Sequence, residues 1–278
     1  MASTKSGTQP VYPADGTGIS KIALPHYLVN YEEAFADLDG TAFDLLELGV
    51  ARGESLRFWA DRYPMARITG IDVALPDVSF EDDRVAMYEG GQQDGDFLAR
   101  VAAERAPGGF DVIVDDASHV GHLSQRAFNH LFYAHLKPGG FYVVEDWGTG
   151  YWPHYLDGRA YRPALRGRTR RDHLIDRLPF GDAEEGSFLA RARGKAARTL
   201  IRRRNPSHDA GMVGFVKSLV DLVGLPDATD DRYGAAPKQA SPIAWMRLSV
   251  GHAIIKKAEA TGDEASTRQA ALLSKGNE

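Results

Sequence analysis

The chain has 278 residues, of which 43% are hydrophobic, and it carries a formal net charge of −5 and no cysteine. This length and apolar content suffice to bury one large core, and the lack of cysteine excludes a disulfide framework and a thiolate zinc site. The N-terminal stretch lacks the apolar centre of a signal peptide, and no run of about 18 apolar residues occurs. We therefore expect a cytoplasmic, soluble protein without a transmembrane segment.

The charge is unevenly distributed along the chain. The stretch from Arg159 to Arg204 contains fourteen Lys and Arg but five Asp and Glu, so the remainder carries −14. One interpretation of residues 159–210 is a helical, basic insertion that forms a lid over a substrate, and the other is a docking site for an anionic partner. Because the chain is acidic overall and the insertion lacks regular aromatic interleaving, we do not expect nucleic acid as the partner.

The first part of the chain changes character near residue 21. Residues 1–20 are rich in small and polar residues, which indicates a flexible segment. A helix is predicted over residues 26–37, where Tyr27, Tyr31 and Phe35 recur at helical spacing. This helix would pack on the sheet or close over a ligand, and its aromatic residues are interpreted as core rather than site.

Strands and helices alternate in the next part of the chain. Strands are predicted at 43–48, 67–72, 85–89, 110–115 and 141–146, and helices at 54–62, 95–106 and 122–135. This alternation favours an α/β fold with a Rossmann-like, doubly wound and mostly parallel sheet. Residues 137–140, Lys-Pro-Gly-Gly, are expected to end the third of these helices and turn the chain.

The C-terminal part completes a single domain over residues 21–258. An amphipathic helix is predicted from Glu184 to Arg204 inside the insertion after the fifth strand, and another helix over residues 212–223. Residues 243–250 and 252–257 flank Gly251 and are predicted to form an antiparallel hairpin at the side of the sheet. Residues 259–278 read as a flexible polar tail.

Two predicted strands end in adjacent carboxylates. Asp115 and Asp116 end one strand, and Glu145 and Asp146 end the other. Since parallel strands deliver their carboxyl ends to one edge of the sheet, these four side chains would repel one another unless a hard cation lay between them. The sequence therefore predicts a divalent metal site, with magnesium or manganese as the ion.

A cofactor site is predicted at the end of the first strand. The strand runs into the turn Gly49-Val50-Ala51-Arg52-Gly53, and Asp72 ends the second strand, where a carboxylate can accept ribose hydroxyls. Ala51 replaces the second glycine of a dinucleotide turn, and Glu54 would repel phosphate at the start of the helix. A nucleoside without phosphate fits better, and the negative charge of Glu47 suits a cationic one such as S-adenosylmethionine.

These motifs together resemble a known family. The runs ELGVARGES, GID, GGQQDGDFL, VDDASH and KPGGFYVVEDWGTGYWP are similar to those of class I S-adenosylmethionine-dependent methyltransferases, and more narrowly of the magnesium-dependent sugar O-methyltransferases of actinobacterial macrolide and glycoside pathways. The resemblance implies that Asp116, Glu145 and Asp146 bind the metal and that His119 is the general base. The residues expected to bind the cofactor are Glu47, Gly49, Gly53, Ser55, Asp72, Gln92 and Asp115.

Metal and base together suit methyl transfer to an alcohol. The ordinary pKa values of an alcohol and an imidazole differ by about 9 units, or roughly 12 kcal/mol, so histidine alone cannot hold an alkoxide. A divalent cation closes part of this gap and orients a diol. Flat aromatic faces beyond the second acidic pair are expected to contact a sugar ring or to belong to the core; they are Trp147, Tyr151, Trp152 and Tyr155.

Other functions remain open at this point. A catechol-type O-methyltransferase would use the same cofactor and metal. A cephalosporin-hydroxylase-like oxygenase would use iron, although the edge supplies one histidine, His119, where iron sites of this class need two. The expected substrate is a sugar-containing small molecule or an oligosaccharide, and the sequence leaves the oligomeric state open, a homo-oligomer included.

Overall fold

In a computed structural model, the structure is described for residues 25–152, 154–160, 208–232, 234–235 and 237–259. The predicted flexible segment 1–20, nearly all of the basic insertion with its helix 184–204, and nearly all of the C-terminal tail lie outside the described residues.

The described residues contain a seven-stranded sheet with the order β3-β2-β1-β4-β5-β7-β6. Its strands are β1 Asp44–Leu48, β2 Arg67–Asp72, β3 Val85–Glu89, β4 Phe110–Asp115, β5 Leu136–Glu145, β6 Ile243–Leu248 and β7 His252–Lys257. Strands β1 to β5 are parallel, while β7 pairs antiparallel with both β5 and β6. The predicted Rossmann-like fold with a C-terminal hairpin is confirmed.

Helices follow or precede these strands on both faces of the sheet. They are α1 Pro25–Ala34, α2 Glu54–Arg62, α3 Gly95–Arg105, α4 Gly121–Ala134, α5 Gly211–Val223 and the short α6 Leu225–Ala228, with 3-10 turns at Ala36–Leu38, Trp147–Tyr151 and Gly158–Ala160. In the described part of the chain, no helix is both long and apolar enough to cross a bilayer.

The sheet separates two apolar cores. Alternate residues of a strand point to opposite faces, so Leu46 and Leu48 pack with α3, α4 and α5, whereas Leu45 packs with α1 and α2. Both faces of the central strands are therefore buried, which explains their nearly continuous apolar runs.

Strand order reverses between β1 and β4, and ligands of such sheets bind in the crevice at this point.

The segment Lys137–Gly140 differs from its prediction. Helix α4 already ends at Ala134, and β5 begins at Leu136, so these four residues belong to the strand. A Cβ atom on Gly140 would lie 2.9 Å from the carbonyl oxygen of Asp111 on β4. The glycines therefore allow an irregular pairing of β4 and β5, and they do not terminate the helix.

Candidate active site

Asp116, His119 and Asp146 come together at the carboxyl edge of the sheet. Each offers one possible ligand atom, and these atoms all lie within 4.8 Å of one another. Asp116 directly follows β4 and Asp146 directly follows the neighbouring β5, which explains why residues thirty positions apart meet. Nε2 of His119 lies 3.9 Å from Oδ1 of Asp116, and both side chains remain partly exposed. The group is therefore accessible to a ligand.

The backbone at this edge is strained. Among the described residues, the non-glycine residues with positive φ are Ala51, His119 and Asp146, at 47°, 52° and 51°. This conformation is costly for a residue with a Cβ and persists where the surroundings impose it, often at functional sites. All three residues lie just beyond the ends of parallel strands. The strain therefore coincides with the predicted cofactor turn, base and metal ligand.

Glu145 makes a different set of contacts from Asp146. It is the last residue of β5, its exposed fraction is 1%, and its Oε1 accepts a hydrogen bond from the Tyr31 hydroxyl. Nε2 of His252, on β7, lies 3.9 Å from the same oxygen. Burial and the Glu145 carboxylate raise the pKa of Tyr31 well above its ordinary value, so this hydroxyl remains a proton donor.

Asp115 and Gln92 form a buried polar pair behind the group. Nε2 of Gln92 donates to Oδ1 of Asp115 at 3.1 Å, and its side-chain carbonyl accepts from the backbone N–H of Ser118 at 3.1 Å. Burial raises the pKa of the Asp115 carboxyl, although hydrogen bonds from Ser124 and Gln92 act in the opposite direction. Because Ser118 precedes His119, this pair holds the loop that carries the imidazole.

The turn after β1 lies directly against the loop that follows β4 and carries Asp116. Gly49 has φ +94°, and a Cβ atom there would lie 2.1 Å from the carbonyl oxygen of Asp116. The backbone N–H of Asp116 donates to the carbonyl of Leu48 at 2.9 Å. Gly53, with φ +78°, forms the N-cap of α2. The predicted nucleoside turn and the predicted metal ligand are thus in backbone contact.

Two carboxylates flank this turn. Glu47 is fully buried and its Oε2 accepts from the Ser55 hydroxyl at 2.7 Å. Oδ2 of Asp72 accepts from the backbone N–H groups of Val50 and Ala51, at 2.8 and 3.0 Å, and so fixes the shape of the turn. Among the described residues, Oδ1 of Asp72 has one long contact, 3.3 Å, to the N–H of Ala74. These carboxylate oxygens are acceptors that fit the hydroxyls of a ribose and a cationic group.

The predicted aromatic set divides between two environments. The Tyr155 ring lies 5.8 Å from the His119 ring, and the Trp152 ring lies 5.8 Å from that of Tyr155. Burial, Asp146 and Asp116 raise the pKa of Tyr155. In contrast, Trp147 donates to the carbonyl of Ser249 in the hairpin and packs on the core. Tyr155 therefore lies against the histidine with Trp152 beside it, whereas the Trp147 side chain is held by the hairpin and the core.

Sequence reasoning missed three residues of this region. Tyr27 and Tyr31 of α1 donate hydrogen bonds to Asp146 and Glu145, respectively, and His252 lies beside both tyrosines. The helical spacing of the tyrosines predicts a buried helix face, and both are indeed buried. Only their hydroxyl groups, on a helix that faces the acidic strand end, could have suggested a second role.

Comparisons with known proteins agree with this geometry, although no family model matches the chain. It is 41% identical over 146 residues to 8-demethyl-8-(2-methoxy-alpha-L-rhamnosyl)-tetracenomycin-C 3'-O-methyltransferase from Streptomyces olivaceus, a match that covers 50% of this chain and 36% of that protein. It is 37% identical over 144 residues to mycinamicin VI 2''-O-methyltransferase from Micromonospora griseorubida, which covers 49% and 35%.

A solved structure is similar to a larger part of this chain than the two curated relatives are. The MycE methyltransferase of the mycinamycin pathway, in complex with Mg and SAH, superposes with a TM-score of 0.53 at 25% identity, over 85% of this chain and 50% of that one. The chain spans about a third of the length of the two curated relatives. The family resemblance predicted from the motifs is confirmed: this chain has the Rossmann-like methyltransferase fold of MycE, and its curated relatives are sugar O-methyltransferases of the tetracenomycin and mycinamicin pathways.

Proposed function

We propose that this chain is a metal-dependent O-methyltransferase, of the EC 2.1.1 class, which moves the methyl group of S-adenosylmethionine to a hydroxyl of a sugar. The observation that carries the proposal is the backbone contact between Gly49 and Asp116, because it joins a nucleoside turn to a cluster of oxygen ligands. The relatives named above act on sugars, and the MycE structure holds Mg and SAH.

Asp116, Asp146 and Glu145 are the proposed ligands of Mg²⁺ or Mn²⁺. Carboxylate oxygens are the ligands that these hard cations prefer. Asp116 and Asp146 already lie in one group, and Glu145 is next to Asp146 at the end of β5. The buried Nδ1 of His119 has no hydrogen-bond partner among the described residues, which also indicates room for a ligand here. When bound, the ion would make a coordinated hydroxyl more acidic and align the acceptor.

The proposed cofactor site uses the ends of β1, β2 and β4. Asp72 would accept hydrogen bonds from the ribose hydroxyls, and the negative charge of Glu47 would favour the cationic end of S-adenosylmethionine. Gly49 and Gly53 provide a turn without side chains. Ser55, Gln92 and Asp115 hold the surrounding loops through the hydrogen bonds described above.

His119 is the proposed general base. Its imidazole lies in the same group as Asp116 and Asp146, so it can reach a hydroxyl placed there. Nε2 of His119, which lies 3.9 Å from the Asp116 carboxylate, is the proposed acceptor of the proton of that hydroxyl. Tyr155, whose ring contacts the imidazole, and Trp152 beside it would present flat apolar surface to the sugar ring.

An iron oxygenase is less well supported by the residues present. In the described part of the chain, the group contains two carboxylates and one histidine, whereas the usual iron site of such oxygenases has two histidines and one carboxylate. A catechol-type methyltransferase would need the same residues as the sugar enzyme, so the two activities must be separated by their acceptors.

Mass spectrometry of methyl transfer tests this proposal. The enzyme would be incubated with S-adenosylmethionine and a panel of rhamnosides, other glycosides, oligosaccharides and catechols, with Mg²⁺ and with EDTA. We expect a mass gain of one methyl group on a sugar acceptor only in the presence of the metal. Methylation of catechols alone would replace the sugar assignment, and undiminished transfer in EDTA would contradict the metal assignment.

A further inference from the structure

Helix α1 places two tyrosines against the acidic end of β5. Tyr27 and Tyr31 are four residues apart and therefore lie on one face of the helix. The hydroxyl of Tyr27 donates to Oδ1 of Asp146, and the hydroxyl of Tyr31 donates to Oε1 of Glu145. Successive carboxylates of the strand end are thus each bonded to a different tyrosine.

The two tyrosines are held in place by the C-terminal hairpin. The ring of His252 lies 4.1 Å from the ring of Tyr27 and 4.7 Å from that of Tyr31. Nδ2 of Asn30, between the tyrosines in sequence, lies 3.0 Å from Nδ1 of His252 and donates to the Ser249 hydroxyl at 2.9 Å. These contacts fix α1 to β7, and so they fix the direction of both phenols.

The turn of the hairpin is shaped around Tyr27. Gly251 has φ +85°, and a Cβ atom there would lie 2.3 Å from the Tyr27 hydroxyl oxygen. The carbonyl of the same glycine accepts from the backbone N–H of Asp146 at 2.6 Å. Tyr27, Gly251 and Asp146 therefore form one packed unit, in which the backbone and the side chain of Asp146 are both constrained.

We propose that Tyr27 and Tyr31 are positioning residues for the metal ligands, so that α1 is part of the metal site. A hydrogen bond to one oxygen of a carboxylate restricts the rotation of that carboxylate and so fixes its orientation. Each tyrosine also lowers the energy of holding Glu145 and Asp146 next to Asp116 before an ion arrives. Outer partners of this kind typically change metal affinity by about 10–100-fold. This inference rests on the proposed metal site.

Metal binding by Tyr27→Phe and Tyr31→Phe tests the inference. Each change removes one hydroxyl and keeps the ring, so the packing against His252 is retained. Mn²⁺ affinity would be measured by electron paramagnetic resonance on the full chain without acceptor, and S-adenosylhomocysteine affinity by calorimetry. We expect the Mn²⁺ Kd to rise by about 10–100-fold in each variant while the S-adenosylhomocysteine Kd stays within about two-fold.

Tyr63→Phe is the matched control. Tyr63 is also buried, in the same apolar cluster as Tyr31, and it packs on Phe43 and Trp59. The charged groups that act on its hydroxyl are Arg62, Asp39 and Glu32, and not the acids of the strand ends. This variant should bind Mn²⁺ like the unmodified chain. An equal rise in Kd for Tyr63→Phe and the two test variants would mean that general loosening of the core explains the effect, which would overturn the inference.

Tyr31→Phe removes the Tyr31 hydroxyl that donates to the buried Glu145 carboxylate. If this variant folds poorly for that reason, a double-mutant cycle with Glu145→Gln still tests the inference. Glu145→Gln removes the charge, and the double variant removes the charge and the hydroxyl together. If Tyr31 acts through Glu145, the double variant should have the same Mn²⁺ Kd as Glu145→Gln alone. A further ten-fold weakening in the double variant would contradict action through this carboxylate.

Failure of the inference and failure of the proposed function give different results. If the unmodified chain binds Mn²⁺, Asp116→Asn does not, and both Tyr→Phe variants bind normally, the metal site stands and the role of the tyrosines is wrong. If the unmodified chain itself does not bind Mn²⁺, the metal site is wrong and the tyrosines have no such role.

Discussion

His119 is held beside Asp116 by a left-handed backbone conformation, and it is the residue on which the proposed proton transfer depends. Replacing it by alanine should lower kcat by about 10²–10⁴-fold, the usual contribution of a general base. S-adenosylmethionine should still bind, because Glu47 and Asp72 lie on other strands. Steady-state kinetics and calorimetric titration of the cofactor would measure the two effects separately.

His122, three positions further along the chain, provides the control for this substitution. It lies in the first turn of α4 with its side chain exposed, so His122→Ala should retain kcat. Unchanged turnover in His119→Ala would eliminate the base assignment. A parallel loss of cofactor affinity would instead indicate that His119 supports the loop rather than the reaction.

Gly49 is a second residue for which the geometry gives a definite expectation. Alanine there would combine positive φ with a Cβ atom 2.1 Å from a backbone oxygen, so the turn must move away from Asp116. We expect Gly49→Ala to lower the free energy of unfolding by about 2–4 kcal/mol and to weaken cofactor binding. Urea denaturation and calorimetric titration would measure these changes.

Gly40→Ala separates the backbone cost of positive φ from the cost of the close Cβ contact. Its φ is +71°, but a Cβ atom there would meet nothing within 4 Å. Gly40→Ala should therefore show only the backbone cost, about 1 kcal/mol, with unaltered cofactor affinity. If Gly49→Ala and Gly40→Ala lose the same stability and the same cofactor affinity, the contact between Gly49 and Asp116 determines neither of these quantities.

At the scale of single residues, the sequence predicts which strand ends meet, but it does not predict which helix residues contact them. Asp116 and Asp146 could be brought together from the sequence because each ends a parallel strand, and strand ends share one edge. Tyr27 and Tyr31 could not, because their partners lie 119 and 114 positions away and their own spacing already fits a buried helix face. A residue that serves both the core and the site shows only its core role in the pattern.

Among the elements, the central strands were predicted nearly to the residue. β2 and β4 begin and end where their mostly apolar runs do, since burial on both faces selects such residues continuously. β3, at the edge of the sheet, also matches its predicted range, although none of its residues is buried. Lys137–Gly140 was misjudged because proline and glycine are common helix terminators. Here the pairing with β4 overrides that local preference and extends β5 through the segment.

Lys257 contacts the C-terminal end of α4, and this contact predicts an effect of Lys257 on stability. Nζ of this β7 residue donates to the carbonyls of Phe132, Tyr133 and Leu136, at 2.7, 3.2 and 2.7 Å, and so satisfies the end of the helix. Lys257→Met should lower the free energy of unfolding by about 1–3 kcal/mol near neutral pH, because these carbonyls lose their donor. Urea denaturation would measure the loss.

The pH dependence of this variant follows from the pKa of Lys257, which burial lowers from 10.5 to about 8. Between these values the unfolded chain binds more protons than the folded one, so the contribution of Lys257 to stability rises with pH through this window and is constant below it. The stability difference between the unmodified chain and Lys257→Met should therefore grow from pH 8 to pH 10. A constant difference would show that the ammonium is not destabilised by burial.

Lys256→Met serves as the control for Lys257→Met. Lys256 is adjacent on β7, and its Nζ lies 4.8 Å from the centre of the Phe141 ring instead of at the helix end. Its replacement should cost no more than about 1 kcal/mol, the range of a partly exposed cation–π contact. Losses of similar size in the two variants would mean that the three carbonyls are not what makes Lys257 important.

At the scale of the described residues, the two apolar cores lie on opposite faces of the sheet, and the proposed metal ligands Asp116 and Asp146 lie beyond its strand ends. Tyr31 belongs to one of these cores and also donates a hydrogen bond to Glu145. The fold class could be predicted because core periodicity alone determines it. Folding and metal binding should consequently be separable, with the ion adding stability to a chain that is already folded.

Metal removal provides the last prediction. EDTA should abolish methyl transfer while the far-ultraviolet circular dichroism spectrum stays unchanged, because the cores do not depend on the ion. Adding Mg²⁺ at about 100 times its Kd should then raise the free energy of unfolding by about 2.7 kcal/mol and restore activity. Asp116→Asn should lose this stabilisation, since it removes one of the two carboxylates in the group. A chain that unfolds in EDTA, or an Asp116→Asn variant that is stabilised by Mg²⁺ to the same extent, would show that the ion acts on the fold elsewhere.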